Sequence, residues 1–303
     1  MVSFINYKPP KINMQLTNPK AYSRTQIDTA GIILCHSNST DEEKNKALDI
    51  LSSWRASHSY PMQVFKQRLK RVSEKMDKNS LSAQRLKRVP SIIKKLKRKY
   101  DGNKATMKLT QMQDIAGCRV VMPEVELARK IHKDYYHNGD LKHKKINEKD
   151  YITYPKEDGY RSMHIVYKYN SDKEKGSHYN GLLIEVQIRS RLQHIWATAV
   201  ETVGFFIGQA IKSNEGEEDW KEFFKLVSSA FARFENCPLV PGTPVDKKEL
   251  YDRIKILEEK LNVITKMKHW AKSLKLFENL KSKKNAHFFL LELDTIQEKL
   301  VVT

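Results

Sequence analysis

Cysteine is scarce: the chain of 303 residues has three, Cys35, Cys118 and Cys237. They stand far apart, with no Cys-x-x-Cys pair and no metal-ligand spacing, which argues against a disulfide framework and a zinc site and fits a reducing compartment. Long apolar runs are missing too. None approaches the roughly 20 residues needed to span a bilayer, and the opening MVSFINYKPPKIN lacks the apolar core of a signal peptide. The expectation is a soluble, cytoplasmic protein with no membrane partner. The usual nucleotide and metal motifs are absent as well: no GxxxxGK[ST], no GxGxxG, no HExxH and no His-Asp dipeptide. P-loop ATPases, Rossmann dehydrogenases, zincins and metal-dependent His-Asp hydrolases are thereby set aside, and a bound nucleotide has to be held by side chains.

Acidic residues are also in short supply, with 36 Asp and Glu against 55 Lys and Arg, a formal charge of +19. A field of that sign attracts polyanions, nucleic acid being the commonest. Eight of the fifteen residues from Arg85 to Lys99, RLKRVPSIIKKLKRK, are basic and none is acidic. Leu86, Val89, Ile92, Ile93 and Leu96 recur among them at near-helical spacing, so an ordered element presenting cations is expected rather than a loose tail.

Read in order, residues 1–20 form an arm. Helices follow Ser23, the capping signature SNSTDEE and Pro61. Lys78–Ala83 reads as linker and Asp101–Thr106 as a turn. CRVVM, YITY, MHIVYKY and LLIEVQI read as strands, Leu127–Tyr136 as a helix, and the Lys-rich Asn138–Asp150 as loop. Ser190 to about Lys212 and DWKEFFKLVSSAFARF are helical. Lys247–Lys283 is one long helix or a helical hairpin, and HFFLLELDTIQEKLVVT two strands. The predicted fold class is α/β (α+β), a mixed sheet flanked by helices. Three regions are expected: a helical 1–79, a core at 80–212, and a helical 213–303 ending in a short β element.

The middle of the chain carries the chemistry. In YITYPKEDGYRSMHIVY, a turn on Pro155 and Gly159 displays Lys156, Tyr160, Arg161 and His164. Asp114 precedes CRVVM. Glu185, Gln187 and Arg189 alternate along their strand and share a face, which is costly to bury and so meets water or lines a site. Carboxylates for magnesium, cations for phosphates and a planar ring for a base are the parts that phosphoryl or pyrophosphoryl transfer needs.

The ordered set Arg85-x-Lys87-x-x-x-Ser91-Ile92, Asp114-x-x-Gly117-x-Arg119-Val120, YPKEDGYRSMH and EVQIRS resembles the synthetase domain of the RelA/SpoT family, with its nucleotidyltransferase-like core. Those enzymes move a pyrophosphate from ATP to a ribose 3′-hydroxyl. The resemblance implies Arg85 and Arg119 around the adenine, and Lys87, Ser91 and Lys95 at the ATP phosphates. It implies Asp114 on Mg²⁺ and Glu185 as metal ligand or as base for the acceptor hydroxyl. Tyr160 would stack on the acceptor base, with Lys156, Arg161, His164, Gln187 and Arg189 at the acceptor's phosphates and sugar. KEDGYRSMH departs from the usual Asn before Gly and Leu before His, which leaves the acceptor open.

SWRASHSYP, PLVPGTPVD and the tail resemble the longer toxic branch of that family, some members of which pyrophosphorylate tRNA. The favoured expectation is therefore the 3′ CCA end of tRNA, in a translation-inhibiting toxin. Arg88, Lys94, Lys97, Arg98, Lys142, Lys144 and Lys145 would form the RNA surface. Residues 247–303 read either as a built-in antitoxin answering a phage protein or as a stabilising helix. The alternatives are GTP or GDP as acceptor, and an inactive RNA-binding protein on the same fold.

Overall fold

The computed structural model describes residues 22–36, 38–98, 100–101, 104–105, 107–139, 141–210 and 217–277, several near the gaps by backbone alone. The expected arm, Lys99, the side chain of Arg98 and the expected terminal strands lie outside the described residues.

In chain order the elements are α1 (Arg24–Ile33), α2 (Asp41–Ser57), α3 (Ser59–Met76), β1 (Leu81–Leu86), α4 (Val89–Arg98), β2 (Tyr100–Asp101), β3 (Lys104–Ala105), β4 (Ala116–Met122), α5 (Val125–Ile131), β5 (Lys144–Asp150), β6 (Met163–Lys168), α6 (Glu174–Ser177), β7 (Leu183–Ser190), α7 (Arg191–Ala210), α8 (Glu217–Phe234), α9 (Lys247–Leu261) and α10 (Val263–Phe277). Two compact units share them. One is drawn from Met1–Val64, Arg85–Ala116 and Lys168–Ile184, the other from Phe65–Gln84, Gly117–Tyr167 and Glu185–Thr303.

The first unit is helical. Its first two helices start on reciprocal caps: Ser23 and Gln26 exchange side-chain and backbone bonds before α1, and Thr40 and Glu43 do so before α2. α1 and α2 bury Ile27, Ala30, Ala47 and Leu51 against Ile92 and Leu96 of α4 and against Leu109, Met112 and Ile115. Gly31 lets a short 3₁₀ turn approach, since an added Cβ would sit 3.0 Å from that of Leu109. Asp28 then accepts from the Thr110 amide (2.9 Å) and hydroxyl (3.0 Å). The segment that ends in Asp114 is thus fixed by packing on one side and by a half-buried carboxylate on the other.

The second unit holds the five-stranded sheet, in the order β1-β4-β7-β6-β5. β4, β6 and β7 are the strands expected at CRVVM, MHIVYKY and LLIEVQI. YITY is not a strand: the pairing lies just upstream, in β5, within the stretch expected to be loop. The reason is Asp150, whose carboxylate accepts from the Ile152 and Thr153 amides (2.9 and 3.0 Å) and the Thr153 hydroxyl (2.7 Å), closing a turn where the strand would have continued. The expected linker 78–83 likewise gives way to β1, so Arg85 leaves a strand and not a helix. Behind the sheet, α7, α8 and α10 share an aromatic core of Trp196, Trp220, Phe223 and Phe224 with Val263 and Met267. All three cysteines are free thiols.

The long C-terminal pattern is broken at Asn262, which caps α9 in the left-handed region at φ 51°. Asparagine adopts that conformation at little cost, whereas a β-branched residue does not. Asn262→Gly should leave the thermal midpoint nearly unchanged and Asn262→Val should lower stability by about 1–2 kcal/mol; equal midpoints would contradict the assigned break.

Candidate functional site

The site residues fall into two clusters, one in each unit. In the first, Lys87 has both backbone polar groups satisfied: its amide donates to Ile115 O (2.8 Å) and its carbonyl accepts from Arg55 Nε (2.7 Å). So held, its ammonium reaches Asp114 Oδ2 at 2.9 Å. Lys95 comes from α4, whose Ile92 and Leu96 are buried in the core, and reaches Asp114 Oδ1 at 2.8 Å. Burial alone would raise the Asp114 carboxyl, but the hydrogen bonds and charges of Lys95 and Lys87 outweigh it and hold it below the ordinary range. Ser91 lies one helical turn before Lys95. Ser91, Arg85, Arg88, Lys94 and Lys97 are exposed.

In the second unit, five side chains close a ring of hydrogen bonds. Glu185 Oε1 meets His164 Nδ1 at 3.0 Å and its Oε2 accepts from Gln187 Nε2 at 2.7 Å. His164 Nε2 meets the Tyr160 hydroxyl at 2.6 Å, Arg189 donates to that hydroxyl at 2.5 Å, and Arg189 donates to Gln187 Oε1 at 3.1 Å. With a neutral imidazole the donor directions agree one way round: Arg189 and Gln187 must donate and an ionised Glu185 only accepts, so Tyr160 gives its proton to Nε2 and His164 carries hydrogen on Nδ1. β7 supplies Glu185, Gln187 and Arg189 on one face, as their alternation predicts, while Ile184, Val186 and Ile188 fill the other.

The Tyr160 ring is flanked by cations, Lys156 Nζ at 5.2 Å and Arg189 Cζ at 5.1 Å from its centroid. Tyr151, which no sequence signal singled out, packs edge-on to both Tyr160 and His164. A cavity of about 980 Å³ opens beside it, lined among others by Arg129, His132, Lys133, Glu148 and Lys149. Its size and mixed lining suit a small polar ligand. Lys142, Lys144 and Lys145 are exposed, and Lys145 is engaged by Glu148 at 2.6 Å. Arg119 projects from β4, half-buried.

Two expectations need correcting. Arg161, expected at the acceptor's phosphates and sugar, is 2 % exposed and ion-paired with Glu235 at 2.9 Å. Arg189, expected there too, is 5 % exposed and its guanidinium is taken up by Ser162, Tyr160 and Gln187, so both are enclosed by the protein rather than presented to a ligand. Among the described residues no cluster of three or more His, Cys, Asp or Glu is arranged to hold a metal, and no helix is long and apolar enough to cross a membrane.

Both clusters lie in a stretch with known counterparts. Residues 84–203 match the region found in RelA / SpoT proteins. The chain is 31% identical over 121 residues to the GTP pyrophosphokinase YjbM of Bacillus subtilis, covering 40% of this chain and 54% of that protein. It is 32% identical over 116 residues to the GTP pyrophosphokinase YwaC of the same organism, covering 38% and 52%. The chain thus spans about half the length of the curated relatives it matches. The fold is that of small alarmone synthetase 1 from Bacillus subtilis, with a TM-score of 0.50 at 23% identity over 62% of this chain and 93% of that one.

Because its folded pKa is depressed, Asp114 contributes stability that is complete above the ordinary aspartate pKa of about 3.9 and is lost as pH falls through the lower folded value. In Lys95→Met a carboxyl-detected NMR titration should find Asp114 titrating at higher pH than in the wild type. An unchanged curve would mean that the ammonium groups do not hold it.

Proposed function

We propose that the chain is an ATP-dependent pyrophosphokinase that moves the β,γ-pyrophosphate of ATP to a ribose 3′-hydroxyl, with GTP or GDP as acceptor. The observation that carries this reading is the ring of Glu185, His164, Tyr160, Arg189 and Gln187, within the stretch that matches the RelA / SpoT region, in a chain similar to two GTP pyrophosphokinases. It is a carboxylate with an imidazole and a phenol wired to it, next to the exposed Lys156.

In this reading Arg85 and Arg119 each offer a guanidinium plane suited to stacking on an adenine. Lys87, Ser91 and Lys95 take the donor phosphates, and the two ammonium groups offset their charge. Asp114 fits magnesium, a hard cation that takes one or two carboxylates together with substrate phosphates, because it is kept ionised. Asp114 would hold Mg²⁺, which when bound neutralises charge on the transferring phosphates. Glu185 accepts the proton of the acceptor hydroxyl, and His164 and Tyr160 fix the direction of its lone pairs. Lys156 and the ring of Tyr160 face the acceptor base, with Gln187 and Arg189 behind them.

A second reading keeps the chemistry and takes the 3′ end of tRNA as acceptor, in a toxin. The charge of +19 and the exposed Arg88, Lys94, Lys97, Lys142 and Lys144 favour it, since a duplex backbone needs many cations and a free nucleotide few. Residues 247–303 are, in this reading, either a built-in antitoxin answering a phage protein or a stabilising helix, and their last 26 lie outside the described residues.

Incubating the protein with γ-labelled ATP and either GDP or tRNA separates these readings: label in a guanosine polyphosphate supports the first, label in RNA the second, and label in neither an inactive binding protein. Glu185→Gln and Tyr160→Ala should each lower transfer by at least about 10²-fold, and a Glu185→Gln protein of normal activity would remove the mechanism. Reversing Lys94 and Lys97 together should reduce label in tRNA more than label in GDP if RNA is the acceptor; an equal reduction would count against an RNA surface on α4.

A further inference from the structure

Outside the ring stand three further arrangements: the cavity beside Tyr151, the basic face of α3, and the buried polar network behind the 156–161 turn. The cavity adjoins the proposed acceptor site and belongs to it. The face of α3 is a solvated charge run interrupted by Glu74. The network is different, because it buries charge and reaches the chemistry from residues that lie beyond the matched stretch.

Glu235 follows the last turn of α8 and is 8 % exposed. One of its oxygens accepts from the Ser190 hydroxyl, the other from Gln193 Nε2 at 3.0 Å, and the latter also faces Arg161 at 2.9 Å. Ser190 and Gln193 in turn cap α7 on each other, Ser190 N to Gln193 Oε1 at 3.1 Å and Gln193 N to Ser190 Oγ at 3.2 Å. One carboxylate therefore ties together the end of β7, the start of α7 and the residue next to Tyr160.

A second tie runs from the same helix. Ser228, 2 % exposed, donates to Gly159 O at 2.6 Å. Gly159 has φ +90°, and a Cβ there would stand 2.9 Å from Trp196 Cζ2, 3.1 Å from Ser228 Cβ and 3.3 Å from Lys225 Cα. The turn closes on itself through Gly159 N to Lys156 O (2.9 Å) and Lys156 N to Tyr160 O (3.2 Å). Trp196, which packs edge-on to Tyr160, donates its indole N–H to Phe224 O on α8. The turn that carries Lys156 and Tyr160 is thus tied at Gly159 to α8 and at Arg161 to the residue that follows α8, while Trp196 of α7, against the Tyr160 ring, is fixed to the same helix.

We propose that Ser228 and Glu235 are positioning residues for the acceptor: α8 holds the 156–161 turn from behind and so sets where Lys156 and the Tyr160 ring stand. A buried carboxylate with three partners costs desolvation and is retained here where it fixes a single arrangement of a turn that would otherwise hinge at a glycine. The assignment rests on the acceptor role proposed above for this turn. It also gives α9 a route to the site, because α8 is held by α9 through Leu226, Ala230 and Leu250 and through Arg253–Glu222 (2.6 Å) and Lys260–Asp219 (2.7 Å).

The test uses full-length Ser228→Ala and Glu235→Gln, with folding checked by thermal midpoint. In GDP-dependent transfer each variant should raise the KM for GDP by about tenfold or more and leave the KM for ATP within twofold. Restoring the carboxylate as Glu235→Asp should recover part of the loss. Unchanged GDP constants in a folded Ser228→Ala protein, or equal losses for GDP and ATP, would overturn the proposal. A readout without catalysis accompanies it: 3-fluorotyrosine placed at position 160 should show a shifted ¹⁹F resonance in both variants. If the wild type transfers nothing to either acceptor, the functional reading fails while the fluorine signal still decides the positioning, and an unmoved signal in both variants overturns it.

Discussion

The second unit depends on where the hydrogen bonds of Glu185 go. A carboxylate on the half-buried face of a central strand is stable only if its lone pairs are matched, and here both oxygens are met by N–H donors that the same sheet supplies. Gln187 and Arg189 come from the next two outward positions of β7, and His164 from the neighbouring strand β6. Tyr160 completes the ring from the turn before β6. Each member is fixed by two others, so removing one leaves a partner unsatisfied in a poorly solvated place. Such a network is rigid before any ligand arrives, the condition under which fixed dipoles favour charge development most.

The first unit solves a different problem, keeping a carboxylate ionised among cations. Asp114 is two residues beyond the buried Met112 and one before the buried Ile115, so its backbone is fixed by the α1–α2–α4 core. Lys87 and Lys95 reach it from a strand end and a helix, each with its own anchor. The result is an anion flanked by two ammonium groups, as the proposed binding of a metal and phosphates requires. The helical scaffold and the cations beside it are therefore one device: α4 is amphipathic so that Ile92 and Leu96 can seat it while Lys95 points to Asp114 and Lys94 and Lys97 stay in water.

Much of this was legible in the sequence, for identifiable reasons. Strands β4, β6 and β7 announce themselves by apolar β-branched runs, and the face of Glu185, Gln187 and Arg189 follows from period-2 alternation alone. The caps at Ser23 and Thr40 are local and were readable as such. What failed was decided by contacts distant in sequence or by one competing bond. β5 is Lys-rich and reads as loop because its pairing is supplied by β6, while YITY has strand composition but loses its strand to the Asp150 turn. Arg161 sits among ligand-type residues, and only Glu235, far along the chain, shows that it faces inward. The ring around Glu185 joins two strands and a turn, so no spacing rule could have closed it.

The ring also makes a claim about one proton that can be read directly. Nitrogen-15 NMR of the imidazole of His164 should find hydrogen on Nδ1, bonded to Glu185, with Nε2 shifted as an acceptor from the Tyr160 hydroxyl, and Tyr160→Phe should move the Nε2 resonance alone. A spectrum with hydrogen on Nε2, or one indifferent to Tyr160→Phe, would contradict the wiring on which this account of the acceptor site rests.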